Sequence, residues 1–192
     1  GLQGGYEYHC RVVATNGSGT AVGADQRFTT GAALSFDGVD DMVSVGLGLF
    51  PNVVNTFTME VWANPTAARA VTPEGTSGHP GTSGQRYAIF PDYGRQAYGS
   101  DAHAGAGISV GTNGVSVFEH SGDYLPSPLV YSNIISGWTH FAVTYSNGLP
   151  RLYVDGNLVR AGLVSGRIVH PSANLGEAGY GYGYFKGMLD EV

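Results

Sequence analysis

Apolar and polar residues alternate at period two through much of this chain, which is the pattern of β-strands. The pattern is clearest in short segments bounded by Gly, Asn, Asp or Pro: 57–63, 86–90, 106–111, 115–120, 138–145, 151–154 and 157–160. The pairs Asn113-Gly114, Asn147-Gly148 and Asp155-Gly156 favour tight hairpins, because both residues of such a pair tolerate positive φ. No segment has sustained helical periodicity, so the chain is predicted to be all-β, an antiparallel two-sheet sandwich or jelly roll.

The composition agrees with this fold and excludes several classes of partner. The chain has 192 residues, 31 of them Gly, and its net charge is -6 with only 9 Lys and Arg. Because no basic cluster is present, neither nucleic acid nor an anionic membrane surface is an expected partner. The single cysteine, Cys10, rules out a disulfide within the chain and a cysteine-based zinc site. Few Lys and many Gly, Ser, Thr and Tyr are typical of secreted bacterial proteins, so we expect a secreted or cell-surface location.

Residues 1–30 are predicted to form a separate unit. Alternation through residues 6–12, a turn cluster, and a second short strand at 25–30 predict a two-stranded element, which is marginal on its own in water. Leu2, Gly4 and Tyr8 match the tyrosine-corner pattern, and this stretch resembles the last two strands of a fibronectin type III domain. The resemblance implies a partial fibronectin type III-like segment at 1–30.

From residue 32 onward, five motifs occur in a recognisable order. They are "ALSFDGVDDMVSV", "FTMEVWANP", "GWTHFAVTY", "RLYVDGNLV" and "YFKGMLDEV". In this order they resemble laminin-G-like domains of the concanavalin A-like superfamily, which implies a jelly roll over 32–192. The resemblance implies a non-catalytic extracellular binding or adhesion module that recognises a glycan or a protein. It also implies that the strand at 189–192 lies beside 34–36, where a short final strand would expose a sheet edge.

The first motif crowds three carboxylates, Asp37, Asp40 and Asp41, into five positions. The neighbouring strands implied by the resemblance would bring Asp190 close to Asp37. Calcium takes six to eight oxygen ligands, so these four aspartates are a candidate Ca²⁺ site. The alternative is a plain solvated turn, because Asp and Gly are common turn residues. The sequence leaves both interpretations open.

The chain lacks the residue patterns of two classes of hydrolase. β-Glucanase relatives place two carboxylates two positions apart on one strand, but Glu60 is followed by Trp62 and Asn64. Asp190 and Glu191 are adjacent and would point to opposite faces. Residues 107–111 match G-x-S-x-G but alternate like a strand, which lacks the strand–turn–helix of a nucleophile elbow. We therefore expect that the protein is not an enzyme.

Tyrosines in two Gly-rich loops are the better binding candidates. Tyr180 and Tyr182 belong to "GYGYGY", and Tyr93 and Tyr98 lie near acidic residues in 91–105. Exposed rings stack on apolar faces of sugars, so we predict that these four tyrosines bind a glycan or an extracellular protein. The alternative is that they are ordinary loop and sheet residues. A second functional hypothesis is a structural subunit of a surface assembly that self-associates through exposed strand edges.

Overall fold

The structure is a computed structural model that describes residues 7–11, 13–16, 19–29, 33–177 and 179–192. The chain divides into two compact units, residues 1–34 and 35–192. Leu2 and Gly4, which carry much of the fibronectin resemblance, lie outside the described residues. That resemblance therefore stays a prediction.

The first unit contains short antiparallel strands. They are β1 (Glu7–Cys10), β2 (Val13–Asn16), β3 (Gly19–Val22) and β4 (Gln26–Thr29). β1 pairs with β4, and β2 pairs with β3. The sequence predicts the strands at β1 and β4 but not the second pair, which flanks the predicted turn.

The second unit is a two-layer β-structure with short helical turns in its connections. Its strands are β5 (Leu34–Asp37), β6 (Phe57–Pro65), β7 (Tyr87–Phe90), β8 (His103–Gly111), β9 (Gly114–His120), β10 (Leu129–Tyr131), β11 (Thr139–Ser146), β12 (Leu149–Val154), β13 (Asn157–Ala161), β14 (Ile168–Pro171), β15 (Asn174–Leu175) and β16 (Lys186–Asp190). The helices are a 3-10 turn, Pro80–Thr82, and α1 (Gly94–Tyr98). Over the described part of the chain, neither helix has the length or apolarity of a membrane span.

The strands form two six-stranded sheets. Sheet I has the order β10-β9-β8-β7-β15, and β14 pairs with β8 in parallel. Sheet II has the order β13-β12-β11-β6-β16-β5. The predicted turns at Asn147-Gly148 and Asp155-Gly156 join β11 to β12 and β12 to β13, with positive φ at all four residues. The predicted all-β sandwich is confirmed.

The two sheets enclose a shared apolar core. Val117 and Ile108 of sheet I pack in the same cluster as Val61, Phe141 and Leu152 of sheet II, and each is fully buried. Burying such a side chain contributes roughly 1.5–3 kcal/mol. Packing between the layers therefore supplies most of the apolar burial of the second unit.

The outer faces of the two sheets differ. Burial alternates along β6 and β11, so sheet II presents one face to solvent. Every residue of β7 and β9 is buried, so this part of sheet I is covered on both faces. Tyr87, Phe90, Phe118 and Leu125 form a second, smaller cluster, and Phe118 alternates with the core residue Val117. This cluster therefore lies on the outer face of sheet I, beneath its loops.

Two glycines of β8 let a loop approach this outer face. Gly105 and Gly107 alternate with the core residue Ala106, so they face outward. A Cβ at Gly107 would lie 2.5 Å from the Pro91 nitrogen, and one at Gly105 would lie 2.4 Å from the Asp92 carbonyl oxygen. The chain leaving β7 therefore crosses directly over β8, in space that any side chain on these glycines would fill.

The final strand, β16, has neighbours on both sides. It lies between β6 and β5, which agrees with the predicted proximity of the first and last strands of this unit. The expectation that the final strand forms an exposed edge is wrong, because β5 covers it. Along the described strand order, the ends of sheet II are β5 and β13.

Candidate functional site

The acidic turn, formed by Asp37, Asp40 and Asp41, follows β5. One oxygen from each carboxylate lies within 4.8 Å of the other two. Asp41 Oδ2 accepts a hydrogen bond from the Asp37 N–H (2.7 Å), and Asp37 Oδ1 accepts one from the Val39 N–H (2.7 Å). Two of the carboxylates therefore already stabilise the turn, and the cluster is compatible with both interpretations drawn from the sequence.

Asp190 lies outside this acidic turn. It is opposite Trp62 of β6, four residues after Lys186 in the same strand. A Cβ at Gly38 would lie 2.8 Å from the Lys186 Cβ, so the turn meets the start of β16. Four residues span roughly 13 Å along a strand. This register explains why Asp190 does not approach Asp37 as predicted.

Three of the four predicted tyrosines lie together. Tyr93, Tyr180 and Tyr182 line a pocket of about 260 Å³ on the outer side of sheet I, which we call the aromatic pocket. The other residues around it are His79, Thr82, His120, Ser121, Asp123, Tyr124 and Leu125. Among these described lining residues Asp123 is the only carboxylate, and none is Lys or Arg. The structure therefore joins loops that are far apart in sequence into one concave surface.

The rings of the aromatic pocket form two walls. Tyr180 and Tyr182 stack with centroids 5.7 Å apart and 19° between their planes. His120 stacks on Tyr93 at 5.1 Å and 24°. His120 is edge-on to Tyr180 and Tyr182, at 86° and 68°. Tyr180 remains 40% exposed, so the corner between the walls is accessible to a ligand.

A buried carboxylate holds the loop that carries Tyr180 and Tyr182. Glu177 has no exposed surface, and it accepts hydrogen bonds from the backbone N–H groups of Tyr180 (3.3 Å), Tyr182 (2.6 Å) and Gly183 (3.2 Å). The Tyr180 hydroxyl donates to Gln96 Oε1 in α1 (2.9 Å). The loop is therefore organised around one buried acceptor, while its two rings pack over Phe90 of the smaller cluster.

His120 lies at the end of β9 and is 7% exposed. Its Nδ1 is 3.1 Å from the carbonyl oxygen of Pro91. Burial lowers the pKa of His120, while the bond to Pro91 and the charge of Glu177 act in the opposite direction. The ring is therefore neutral at neutral pH.

A buried network supports the wall formed by Tyr124. The hydroxyls of Tyr124, Tyr145 and Ser165 donate to the Glu119 carboxylate at 3.1, 3.0 and 2.5 Å. The Arg167 guanidinium lies 4.6 Å from the centroid of the Tyr124 ring. Burial raises the pKa of Glu119, although these hydrogen bonds and the charge of Arg167 partly offset that effect. Tyr124 is thus held by Glu119 of β9 and by Arg167, which directly precedes β14.

Tyr98 does not line the aromatic pocket. Its ring stacks on His170 with centroids 3.7 Å apart and 12° between the planes. The Tyr98 hydroxyl is buried and has no hydrogen-bond partner among the described residues, and burial raises its pKa. His170 in turn bonds to His103 through ring nitrogens 2.8 Å apart. The structure therefore separates Tyr98 from the three tyrosines with which the sequence grouped it.

The positions considered for catalysis are placed differently. Glu60 is exposed on sheet II, and its carboxylate lies 3.6 Å from His140. Ser109 is buried within β8, where its hydroxyl donates to Gln85 Oε1 (3.0 Å). It therefore does not lie on the turn of a nucleophile elbow.

Sequence reasoning missed Glu177, His120 and Tyr124. Glu177 shortly precedes the Gly-Tyr run, and an acidic residue before a Gly-rich loop is a signal that could have indicated a loop-organising acceptor. His120 and Tyr124 carry no comparable local signal, because the loops they meet are distant in sequence.

With this fold and site described, comparisons with known proteins define the class. The family model of the concanavalin A-like lectin/glucanases superfamily matches residues 37–192, so the chain belongs to this superfamily. The chain is also similar to domain 4 of AbnA, a GH43 extracellular arabinanase from Geobacillus stearothermophilus, whose structure is in complex with arabinotriose. The identity is 17% and the TM-score 0.46, over 94% of this chain and 72% of that chain. A search of curated proteins finds no match.

Proposed function

We propose that residues 35–192 form a non-catalytic extracellular binding or adhesion module that recognises a glycan in the aromatic pocket. The observation that carries this proposal is the convergence of Tyr93, Tyr180 and Tyr182 on one concave surface. Sugars present apolar C–H faces to aromatic rings and hydroxyls to polar groups, and this lining offers both. The volume of about 260 Å³ is slightly below the usual range for small-molecule sites and suits a short glycan segment.

Membership of a superfamily described by lectins and glucanases supports a carbohydrate ligand. It does not select one sugar, because one fold serves many ligands. An extracellular protein is the alternative occupant of the same surface.

A glycan array on the whole chain tests the proposal. Tyr180→Ala removes an exposed ring from the aromatic pocket, and Trp62→Ala removes an exposed ring from the outer face of sheet II as the matched control. We expect Tyr180→Ala to weaken binding by about twofold to tenfold, since a ring contact contributes about 0.5–1.5 kcal/mol, and Trp62→Ala to bind normally. A folded wild type that binds no glycan on the array would overturn the proposal.

We also propose the acidic turn as a structural calcium site, independent of the aromatic pocket. Three carboxylates within 4.8 Å supply the hard oxygen ligands that Ca²⁺ prefers. The ion would offset the repulsion between these charges and stabilise the turn after β5.

A structural subunit is the second candidate function. Its supporting observation is that β5 is short and lies at one end of sheet II, with Leu34 47% exposed. Such an edge can pair with a strand from another copy. Light scattering after size-exclusion chromatography distinguishes a self-associating subunit from a monomeric binding module. A monomer at all concentrations would rule out the structural subunit.

A further inference from the structure

We propose that the aromatic pocket selects neutral glycans over their uronate counterparts, with His120 Nε2 and the Asp123 carboxylate as the two hydrogen-bond acceptors that set this selectivity. The inference rests on the glycan-binding function proposed above, and it names the class of sugar that the pocket accepts.

The tautomer of His120 follows from its partner. A carbonyl oxygen only accepts hydrogen bonds, so the contact with Pro91 requires a proton on Nδ1. In the neutral ring, Nε2 then carries a lone pair and acts as an acceptor. Nε2 has no hydrogen-bond partner among the residues that the structure describes, and it is not one of the fully buried unpartnered atoms. A ligand hydroxyl in the aromatic pocket is therefore a suitable donor to it.

The orientation of this acceptor is fixed. Tyr93 stacks on one face of the imidazole, and Tyr180 and Tyr182 lie against it edge-on. The titratable groups around His120 are these three phenols, the Glu177 carboxylate, and His79, Asp123 and Tyr124 among the pocket-lining residues.

Charge then discriminates between ligands. Asp123 is exposed and lines the aromatic pocket, and no Lys or Arg lines it among the described residues. A uronate carboxylate would face the Asp123 carboxylate and the lone pair of His120 Nε2. Neither of these two groups offers it a positive charge or a hydrogen-bond donor. A neutral sugar would donate hydroxyl protons to both. Two like charges about 6 Å apart at an effective dielectric of about 40 repel enough to change affinity about tenfold.

The experiment compares matched probes on the whole chain at pH 7.5. Isothermal titration would use galactotriose against trigalacturonate, and mannotriose against the mannuronate trimer. For at least one pair we expect the neutral member to bind at least about tenfold more tightly. Asp123→Asn is expected to reduce this ratio severalfold, while Glu60→Gln, which removes an exposed carboxylate from the outer face of sheet II, leaves the ratio unchanged.

Nitrogen NMR of the His120 side chain reports its tautomer and its ligand contacts. The Nε2 signal would not respond to ligand if His120 had only a structural role. We expect the Nδ1–H tautomer without ligand and a shift of the Nε2 signal when the neutral probe binds. The opposite tautomer would overturn the role of His120.

The remaining outcomes separate this inference from the proposed function. Equal or tighter binding of the uronate would overturn the selectivity and leave glycan binding intact. Binding of no probe, by a folded protein that is also silent on the array, would overturn the proposed function and this inference with it.

Discussion

The outer faces of the two sheets are built from neighbouring segments of one chain, yet only the one on sheet I carries the aromatic pocket. On sheet II, polar and apolar residues alternate and the outer face, with Trp62 and Glu60, stays open to solvent. On sheet I, small and aromatic residues take the outer positions, and loop segments cover them. The proposed binding surface therefore lies where loops cover a sheet incompletely, rather than on an exposed sheet.

The largest expected effect tests how the loop is seated on sheet I. Gly107→Ala places a methyl group 2.5 Å from the Pro91 nitrogen and 2.6 Å from the Ile89 carbonyl oxygen. Because these are backbone atoms, we expect a loss of about 3 kcal/mol in the free energy of unfolding, measured by urea denaturation.

Ala142→Val is the matched control for that substitution. Ala142 is partly exposed in β11 on the outer face of sheet II, opposite Tyr153 and Glu60. Its effect should stay within about 0.5 kcal/mol. Equal losses for the two substitutions would mean that the two outer faces do not differ in the way described.

Local sequence patterns predict β6, β11, β12 and β13 of sheet II and β7, β8 and β9 of sheet I, but not the remaining strands of sheet I. The strands at 57–63, 138–145, 151–154 and 157–160 follow from alternation and Asn-Gly or Asp-Gly turns, which are local signals. β14 and β15 have no such signal, and they form because β8 and β7 offer hydrogen-bond partners distant in sequence. The predicted loop at 92–105 contains α1 and the start of β8.

The aromatic site was predictable only in part, for a similar reason. The Gly spacing identifies Tyr180 and Tyr182 as loop residues, and Tyr93 follows a strand end, so all three were accessible to local reasoning. Tyr98 shares the same local signals, but α1 turns its ring onto His170. Nothing within 92–105 reveals that partner, which comes from β14.

The next largest effect concerns Glu177, whose carboxylate supports the site from inside. Glu177→Ala leaves three backbone N–H groups without their acceptor, so we expect a loss of about 2 kcal/mol in unfolding free energy. The variant should also bind glycan more weakly under conditions where it is fully folded, because Tyr180 and Tyr182 lose their position.

The control for Glu177 is Glu60→Ala, which removes an exposed carboxylate from sheet II. Its stability and glycan binding should match the wild type within about 0.5 kcal/mol. Normal glycan binding by Glu177→Ala would show that the loop holds its rings without this acceptor.

The third prediction uses the pH dependence of stability to distinguish the buried carboxyl group of Glu119 from the exposed one of Glu60. Burial raises the folded-state pKa of Glu119 above the unfolded value of about 4.3. Between these two pKa values the native state binds more protons than the unfolded state. The unfolding free energy should therefore fall as pH rises through that window, by up to about 1.4 kcal/mol per pH unit, and level off above the folded pKa.

The difference in unfolding free energy between the wild type and each variant, plotted against pH, separates the contribution of Glu119 from that of the histidines. Burial lowers the folded pKa values of His120 and His170, so their contributions to stability are lost as pH falls below about 6.5. Both variants in the comparison retain these histidines. The stability of the wild type relative to Glu119→Gln should decrease with rising pH, whereas the difference from Glu60→Gln should stay small. A flat Glu119 curve would contradict a raised pKa.

The smallest expected effect concerns the acidic turn, which follows β5 of sheet II. If calcium binds there with the affinity of extracellular sites, about 10⁻⁴–10⁻³ M, then 1 mM Ca²⁺ adds about 1 kcal/mol to stability. For a unit of this size that corresponds to about 2–4 °C in the melting temperature, measured by calorimetry with calcium and with a chelator. Asp40→Asn removes one negative charge from the site without removing either hydrogen bond that folds the turn, so it should reduce the calcium response. Without calcium the same variant should melt slightly higher than the wild type, because it relieves repulsion among the three carboxylates.

An identical melting temperature with and without calcium would establish the acidic turn as a turn that its own hydrogen bonds hold. Sheet II and its connections would then have no ligand assigned to them.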